Sequence, residues 1–249
     1  MKDKEQIISK FKAVKELGFV KSHRKNNTGI GKTFEDYVGV VENNADEPDL
    51  FGFEIKSHRE LAQSYITLFT KSPSFPKRAN AYLRDKFGTP YDENPELKRL
   101  HTSMFADKPN NYAGKYAFQL VNDRRAKCLY IAIYSMTAME LLDMSCGYTY
   151  AALEKVLKKK MKSLFYVSAE TKTNKNGDES FHFHKADIYE EPSFDKFLKM
   201  IDNGLIMFDI RIGSYRSGKS YGKAHDHGSG FRIQEKDLSK LYATHEKVE

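Results

Sequence analysis

The chain has 249 residues, 40% of them hydrophobic and 30% charged, with 41 Lys/Arg against 34 Asp/Glu and a net charge of +7. That length and apolar content support a buried core without staples, and two cysteines are too few for a disulfide framework or a cysteine-rich zinc site. No apolar run reaches the ~18 residues of a membrane helix, and the start Met-Lys-Asp-Lys-Glu has no apolar signal region, so a protein of the reducing cytoplasm is expected.

Residues 3–17 carry Ile7, Ile8, Phe11, Val14 and Leu17 at helical spacing. A turn cluster over 26–31 precedes a second helix with Phe34, Tyr37, Val38 and Val41 on one face, broken over 43–48. Strands are predicted over 51–57 and 64–70, the latter rich in β-formers. A loop over 72–76 leads to a short helix over 77–87, and 88–111 reads as polar and irregular. Strands over 116–121 and 128–134 follow, the second apolar enough for the middle of a sheet. A helix over 150–161 ends in lysines, and strands over 163–171 and 180–189 form a hairpin about Asn176-Gly177. Pro192-Ser193 starts a helix that Gly204 ends. A strand over 205–212, a Gly/Ser/Lys/His-rich loop over 213–230, a strand over 231–233 and a terminal helix close the chain. Helices and strands mix without strict βαβ alternation, so the class is α+β or mixed α/β.

The charge is unevenly placed. Residues 1–34 hold nine Lys/Arg and three Asp/Glu, residues 35–60 hold two and eight, and residues 205–232 hold five and two. An acidic island between basic stretches fits a metal centre inside a polyanion-binding surface, although solvated charge alone gives the same counts.

Within the island, Pro48-Asp49-Leu50-Phe51-Gly52-Phe53-Glu54-Ile55-Lys56 is the most informative stretch. Glu54 and Lys56 are two apart on a strand and share a face, while Phe53 and Ile55 point to the core. Asp49, at the preceding bend, converges with Glu54. Two carboxylates and the Ile55 carbonyl make a hard, oxygen-rich site suited to Mg²⁺. Phosphodiester cleavage needs such a site, because metal coordination neutralises phosphate and lowers the pKa of water toward ~7. Lys56 is then placed to hold the attacking water and stabilise developing charge. Glu35, on the preceding helix, is a third candidate carboxylate; its neighbour Asp36 points about 100° away. Short patterns of this kind are common, and an edge strand with paired charges is the alternative.

Pro-Asp-x4-Glu-x-Lys resembles the active-site motif of the PD-(D/E)XK nuclease superfamily. Thr28-Gly29-Ile30-Gly31-Lys32-Thr33-Phe34-Glu35, Pro48-Asp49 and Gly52 through Arg59 are similar to the MvaI/BcnI group of type II restriction endonucleases, itself similar to the mismatch-repair nicking enzyme MutH. The run Phe208 through Gly213 and the run His225 through Arg232 resemble that group too. The resemblance implies a PD-(D/E)XK core with a mixed central sheet flanked by helices, and two lobes around a DNA cleft. Residues 1–185 would be mainly catalytic and 186–249 mainly DNA-recognising, with interleaving of the two lobes left open. It implies Asp49 and Glu54 as Mg²⁺ ligands, Lys56 at the nucleophilic water and Glu35 in a supporting role. It further implies a bacterial cytoplasmic monomer that nicks the strands of duplex DNA in succession at a CCWGG-type site. The products would be 5′-phosphate and 3′-hydroxyl ends, and a cognate methyltransferase would protect the host. The rivals are a MutH-like nicking enzyme regulated by a partner, a DNA-binding module without catalysis, and a structural or RNA-binding protein whose charges are incidental.

Other signals are weaker. Gly29-Ile30-Gly31-Lys32-Thr33 suggests a phosphate-binding loop, but Asn26 stands where that motif needs glycine. His182 and His184 share a strand face with no third metal ligand in view. Asp209, Arg211, Arg216, Lys219, His225, His227 and Arg232 cluster about the glycine-rich loop as DNA-recognition candidates. Arginine can read guanine bidentately and Asp209 can accept from cytosine or orient Arg211, though phosphate contact serves each basic residue equally well. The lysine run over 155–162 reads as a solvated helix end.

Overall fold

The structure, a computed structural model, describes residues 2–40, 48–60 and 65–248. In chain order, α1 (Lys2–Glu16), β1 (Val20–Lys21), α2 (Gly29–Val38), β2 (Glu54–Arg59), β3 (Tyr65–Thr70) and α3 (Ala79–Phe87) come first. They are followed by β4 (Thr89–Pro90), β5 (Lys98–Met104), β6 (Tyr116–Asp123), β7 (Cys128–Ser135), β8 (Leu141–Thr149) and α4 (Tyr150–Lys160). The chain closes with β9 (Ser163–Thr173), β10 (Glu179–Pro192), α5 (Phe194–Asp202), β11 (Ile206–Ser214), β12 (Ala224–Asp226), β13 (Gly230–Gln234) and β14 (Tyr242–Val248). Among the described residues, no helix is long and apolar enough to cross a membrane.

The chain divides into two units. One comprises Met1–Ser64, Leu157–Ser193 and Ser239–Glu249; the other comprises Tyr65–Val156 and Phe194–Leu238. The expected division at 185/186 falls inside β10, whose ladder with β9 runs on to Glu190. Cutting there would expose paired backbone groups, so the units interleave along the chain instead.

The first unit is built on a mixed sheet of order β1-β10-β9-β2, with β14 also on β10. β2 runs parallel to β9 and the other pairs are antiparallel. The buried positions Ile7, Phe11 and Val14 recur at helical spacing along α1. With Phe34 and Val38 of α2 they join a core containing Phe53, Ile55, Phe165, Val167, Phe181 and Phe183. Each such side chain contributes ~1.5–3 kcal/mol by leaving water. α2 stops at Gly39, whose φ of 84° lets its N–H cap the Glu35 and Asp36 carbonyls. The predicted extension to Val41 lies beyond this stop and outside the described residues.

The second unit holds a six-stranded antiparallel sheet and a three-stranded one. The first has the order β3-β13-β11-β5-β4, with β12 also on β11; the second is β6-β7-β8. Phe208, Ile210 and Ile212 of β11 are fully buried, so Asp209 and Arg211 face the other way.

Three elements depart from expectation. The stretch 88–111 contains β5, a strand paired with β11 from Leu100 to Met104. Only Leu100 and Met104 of its side chains are buried, so it shows no apolar alternation. β8 was not foreseen, because Leu141, Leu142 and Met144 are exposed and Asp143 is inward. The terminal helix is a short 3-10 segment, Glu235–Leu241, followed by β14 on β10. A ladder to an existing strand outweighs the helix preference of Glu246 and Lys247.

Candidate active site and nucleic-acid interface

The active-centre candidates are assembled by one turn. Leu50 and Phe53 exchange backbone hydrogen bonds of 3.1 and 2.8 Å. Phe51 (φ 50°) and Gly52 (φ 78°) between them are left-handed, the signature of a primed hairpin turn. This is why the strand starts at Glu54 rather than Phe51. It also explains the four-residue spacer: Asp49 enters the turn directly beside the strand that leaves it. Its Oδ2 accepts a 2.7 Å hydrogen bond from the Ile55 backbone N–H.

Glu54 and Lys56 then share the sheet face opposite the helices. Lys56 Nζ donates to Glu54 Oε1 at 2.5 Å, and Glu54 is only 7% exposed. Burial pushes the Glu54 carboxyl up, and the Asp49 charge adds to this, while Lys56 and Lys160 act against it. Two adjoining carboxylates, one of them buried, form an oxygen donor set that a divalent cation would relieve of its repulsion. Asp49, Glu54 and the Ile55 carbonyl therefore offer a donor set that fits a divalent cation.

Glu35 sits half-buried on α2, the helix packed on β2. Its carboxylate folds back along the helix, where a Cβ on Gly31 would meet Oε1 at 3.7 Å. Asp36 is engaged elsewhere, by Lys32 at 2.7 Å and His23 at 2.8 Å. Those two partners hold its carboxyl below the usual range, Lys32 first. Lys32 is thus an ion-pair partner within α2.

The structure adds one carboxylate–histidine group that the sequence hid. Glu60, Glu170 and His184 bring ligand atoms within 4.8 Å of one another. Glu60 is already paired with Lys185 and His184.

In the second unit, most of the recognition candidates converge. Asp209, 4% exposed, accepts from Ser103 Oγ at 2.8 Å through Oδ1. Its Oδ2 takes Arg211 Nε at 2.5 Å and Arg232 Nε at 2.9 Å. Arg232 also donates to Thr67 Oγ1 at 2.6 Å. Asp209 thus accepts from Ser103 and Arg211 and forms an ion pair with Arg232, holding two arginines beside it. His225 stacks on Tyr215, with ring centroids 4.3 Å apart, and packs at 4.2 Å against His227. Arg216 lies over the Tyr91 ring at 5.4 Å, beside Arg99 at 5.2 Å. Lys219 is exposed in the 3-10 turn Gly218–Ser220. His101 lies 6.1 Å from His227. Burial and the neighbouring His227, Arg211 and Arg99 charges hold His101 below the ordinary histidine range.

Ser103, Thr67, Tyr91, Arg99 and His101 were not singled out from sequence. Three of them sit on β5, whose own sequence carried no strand signal. Of the tyrosines near the basic loops, Tyr148 is fully buried, whereas Tyr215 and Tyr221 are 39% and 50% exposed.

The sequence profile of the MvaI/BcnI restriction endonuclease family matches residues 8–242. The chain belongs to this family. It is therefore a site-specific DNA-cleaving hydrolase with a restriction-endonuclease-like fold. Among solved structures it is similar to restriction endonuclease MvaI in complex with its cognate DNA substrate. That match has 33% identity and a TM-score of 0.88, covering 98% of this chain and 97% of that one. It is also similar to MvaI in the absence of DNA, at 32% identity and a TM-score of 0.67, covering 100% of this chain and 98% of that one. No curated protein sequence matches it.

Proposed function

We propose that this enzyme binds duplex DNA and hydrolyses its phosphodiester bonds with Mg²⁺, at a centre formed by Asp49, Glu54, Lys56 and the Ile55 carbonyl, with Glu35 in support. The reading rests on one contact: the 2.7 Å bond from Ile55 N–H to Asp49 Oδ2, which joins the turn carboxylate to the Glu54–Lys56 strand. When bound, Mg²⁺ would supply charge neutralisation at phosphorus and a more acidic water. Asp49 and Glu54 would hold the cation through their carboxylates. Lys56 keeps an ammonium at the edge of the site, where it orients the water that attacks in line with the departing 3′ oxygen. The products are 5′-phosphate and 3′-hydroxyl ends.

Target recognition belongs to the Asp209–Arg211–Arg232 fork, His225 and His227, with Arg216 and Lys219 binding DNA through its phosphates. The similarity to MvaI supports a CCWGG-type site, cut by a monomer one strand after the other in a bacterial cytoplasm with a protecting methyltransferase. Incubation with supercoiled plasmid tests the whole reading. Discrete fragments with Mg²⁺ and none with EDTA are expected, with ends mapping to CCWGG. Intact plasmid at full Mg²⁺, with retained DNA binding, would favour a MutH-like enzyme that waits for a partner.

A further inference from the structure

Asp226 stands between His225 and His227 but turns into the fold. β12 and β13 run along the same edge of β11: Asp226 pairs with Ile212, and Gly230 pairs with Asp209. Between those pairs, residues 227–229 face only Ile210 and Arg211, so the chain carries one residue more than its partner there. This is a β-bulge, a device that re-aims side chains on a sheet. Gly228 makes it possible with a φ of 98°. The ladder is interrupted at this point, and two other bonds replace it. His227 N–H donates to the Arg211 carbonyl at 2.8 Å, and Ser229 Oγ accepts from Arg211 N–H at 2.8 Å.

Asp226 holds that bulge. It lies opposite the fully buried Ile212, and cross-strand partners point to one face of a sheet, here the inner one. Its Oδ1 accepts from Gly228 N–H at 3.0 Å and from Ser229 N–H at 2.7 Å. Its Oδ2 accepts from Asn80 Nδ2 at 2.8 Å, which ties the bulge to α3. The same Asn80 nitrogen donates to Ser72 Oγ at 3.1 Å. Both arginines of the fork hang on the segment so fixed. Ser229, only 1% exposed, seats the backbone of Arg211. The Gly228 carbonyl accepts from Arg232 Nη2 at 3.3 Å. One carboxylate, with both oxygens turned to the protein, thus sits behind two guanidinium groups.

We propose that Asp226 is a positioning residue for target recognition: with Asn80 it fixes the 227–229 bulge, and the bulge sets the aim of Arg211 and Arg232 at the base edges. The proposal rests on the assignment of recognition to the Asp209–Arg211–Arg232 fork. Bidentate reading of guanine needs two guanidinium donors in register with two acceptors. A small displacement of either arginine therefore costs discrimination before it costs phosphate binding.

Single-turnover cleavage of cognate and singly mismatched duplexes by the full chain with Mg²⁺ tests it, beside binding of a random duplex in EDTA. Asp226→Asn keeps Oδ1 as an acceptor and removes the charge, whereas Asp226→Ala removes both. Asp226→Ala should lower the cognate-to-mismatch rate ratio about tenfold to hundredfold, and Asp226→Asn should retain most of it. Random-duplex affinity and its salt slope should be alike in the two variants, since both lose the charge and neither loses a phosphate contact. In an Arg211→Ala/Arg232→Ala background, Asp226→Ala should lower the ratio no further, as for a residue that acts through those two. An unchanged ratio in Asp226→Ala overturns the proposal. So does an equal loss in Asp226→Asn, which would make the charge rather than the bulge the cause. A full further loss in the double-arginine background also overturns it, because Asp226 would then read bases itself. If Asp226→Ala does not fold, Ser229→Ala, which cuts the link from the bulge to Arg211, carries the same test. A ratio unmoved by Arg211→Ala and Arg232→Ala would instead sink the assignment of recognition to the fork, separately from the role of Asp226.

Discussion

The carboxylate of Asp49 is fastened to the backbone N–H of Ile55 at 2.7 Å. One oxygen thus closes the turn and leaves the other outward. The two jobs can be separated. Asp49→Asn keeps an oxygen for the hydrogen bond but loses the charge, so it should be inactive at wild-type stability. Asp49→Ala should be inactive and about 1 kcal/mol less stable, through loss of the bond. Plasmid cleavage and a melting curve on each variant check this. Undiminished cutting by either would remove Asp49 from the centre.

Asp209 and Arg211 should separate in a similar way. Asp209 is buried between two arginines, and Arg232 is itself largely covered, with 17% of its side chain exposed. Removing the carboxylate leaves that guanidinium uncompensated. Asp209→Ala should cost about 3 kcal/mol, or roughly 6–12 °C in Tm. Arg211 has 52% of its side chain exposed. Arg211→Ala should therefore barely move Tm while lowering discrimination between cognate and mismatched sites about tenfold to hundredfold. Equal Tm losses in the two variants would make Arg211 a structural residue instead.

How far the site was legible follows from these residues. Asp49, Glu54 and Lys56 could be read because they lie within one turn and one strand, where chain spacing fixes which side chains meet. Arg211 and Arg232 could be read only as members of a basic cluster. Thr67, which accepts from Arg232, and Ser103, which donates to the Asp209 that both arginines share, come from β3 and β5, and pairing over a hundred residues leaves no local pattern. β5 itself was missed for the same reason: its neighbours supply the burial that its own sequence does not announce. β14 shows the converse, a helix-compatible segment captured by a waiting strand. The core of the first unit was the most legible part, because α1 carries its apolar residues at the helical period and β9 carries them as a continuous run buried on both faces.

Acid stability should hinge on Asp143. It accepts from Lys86 Nζ and from Ser145 N and Oγ at 2.7–2.8 Å, and from the Tyr82 hydroxyl. Burial raises its pKa, but these donors, Lys86 foremost, outweigh burial and hold it well below the unfolded value of 3.8. A depressed carboxylate stabilises the fold above the unfolded pKa and loses that contribution as pH falls through the folded one. Asp143→Asn should thus melt below wild type by a constant gap from pH 7 to about 4, and the gap should close below that. A gap still undiminished at about pH 2 would show that the charge on Asp143 is not what matters.

Arg216 and Lys219 should behave as phosphate contacts rather than base readers. Arg216 lies over the Tyr91 ring at 5.4 Å, and Lys219 projects from an exposed turn; neither belongs to the Asp209 fork. Each phosphate contact releases counterions and contributes about 0.9 to the slope of log affinity against log salt. Arg216→Ala and Lys219→Ala should each flatten that slope by about this amount, and weaken cognate and random duplexes equally. Tyr91→Ala should reproduce part of the Arg216 effect by releasing its guanidinium from the ring. Arg232→Ala should differ in kind, weakening the cognate duplex far more than the random one. If Arg216→Ala or Lys219→Ala instead changes which sites are cut while the salt slope stays fixed, that residue reads bases, and the recognition surface extends beyond the fork into the loop that carries them.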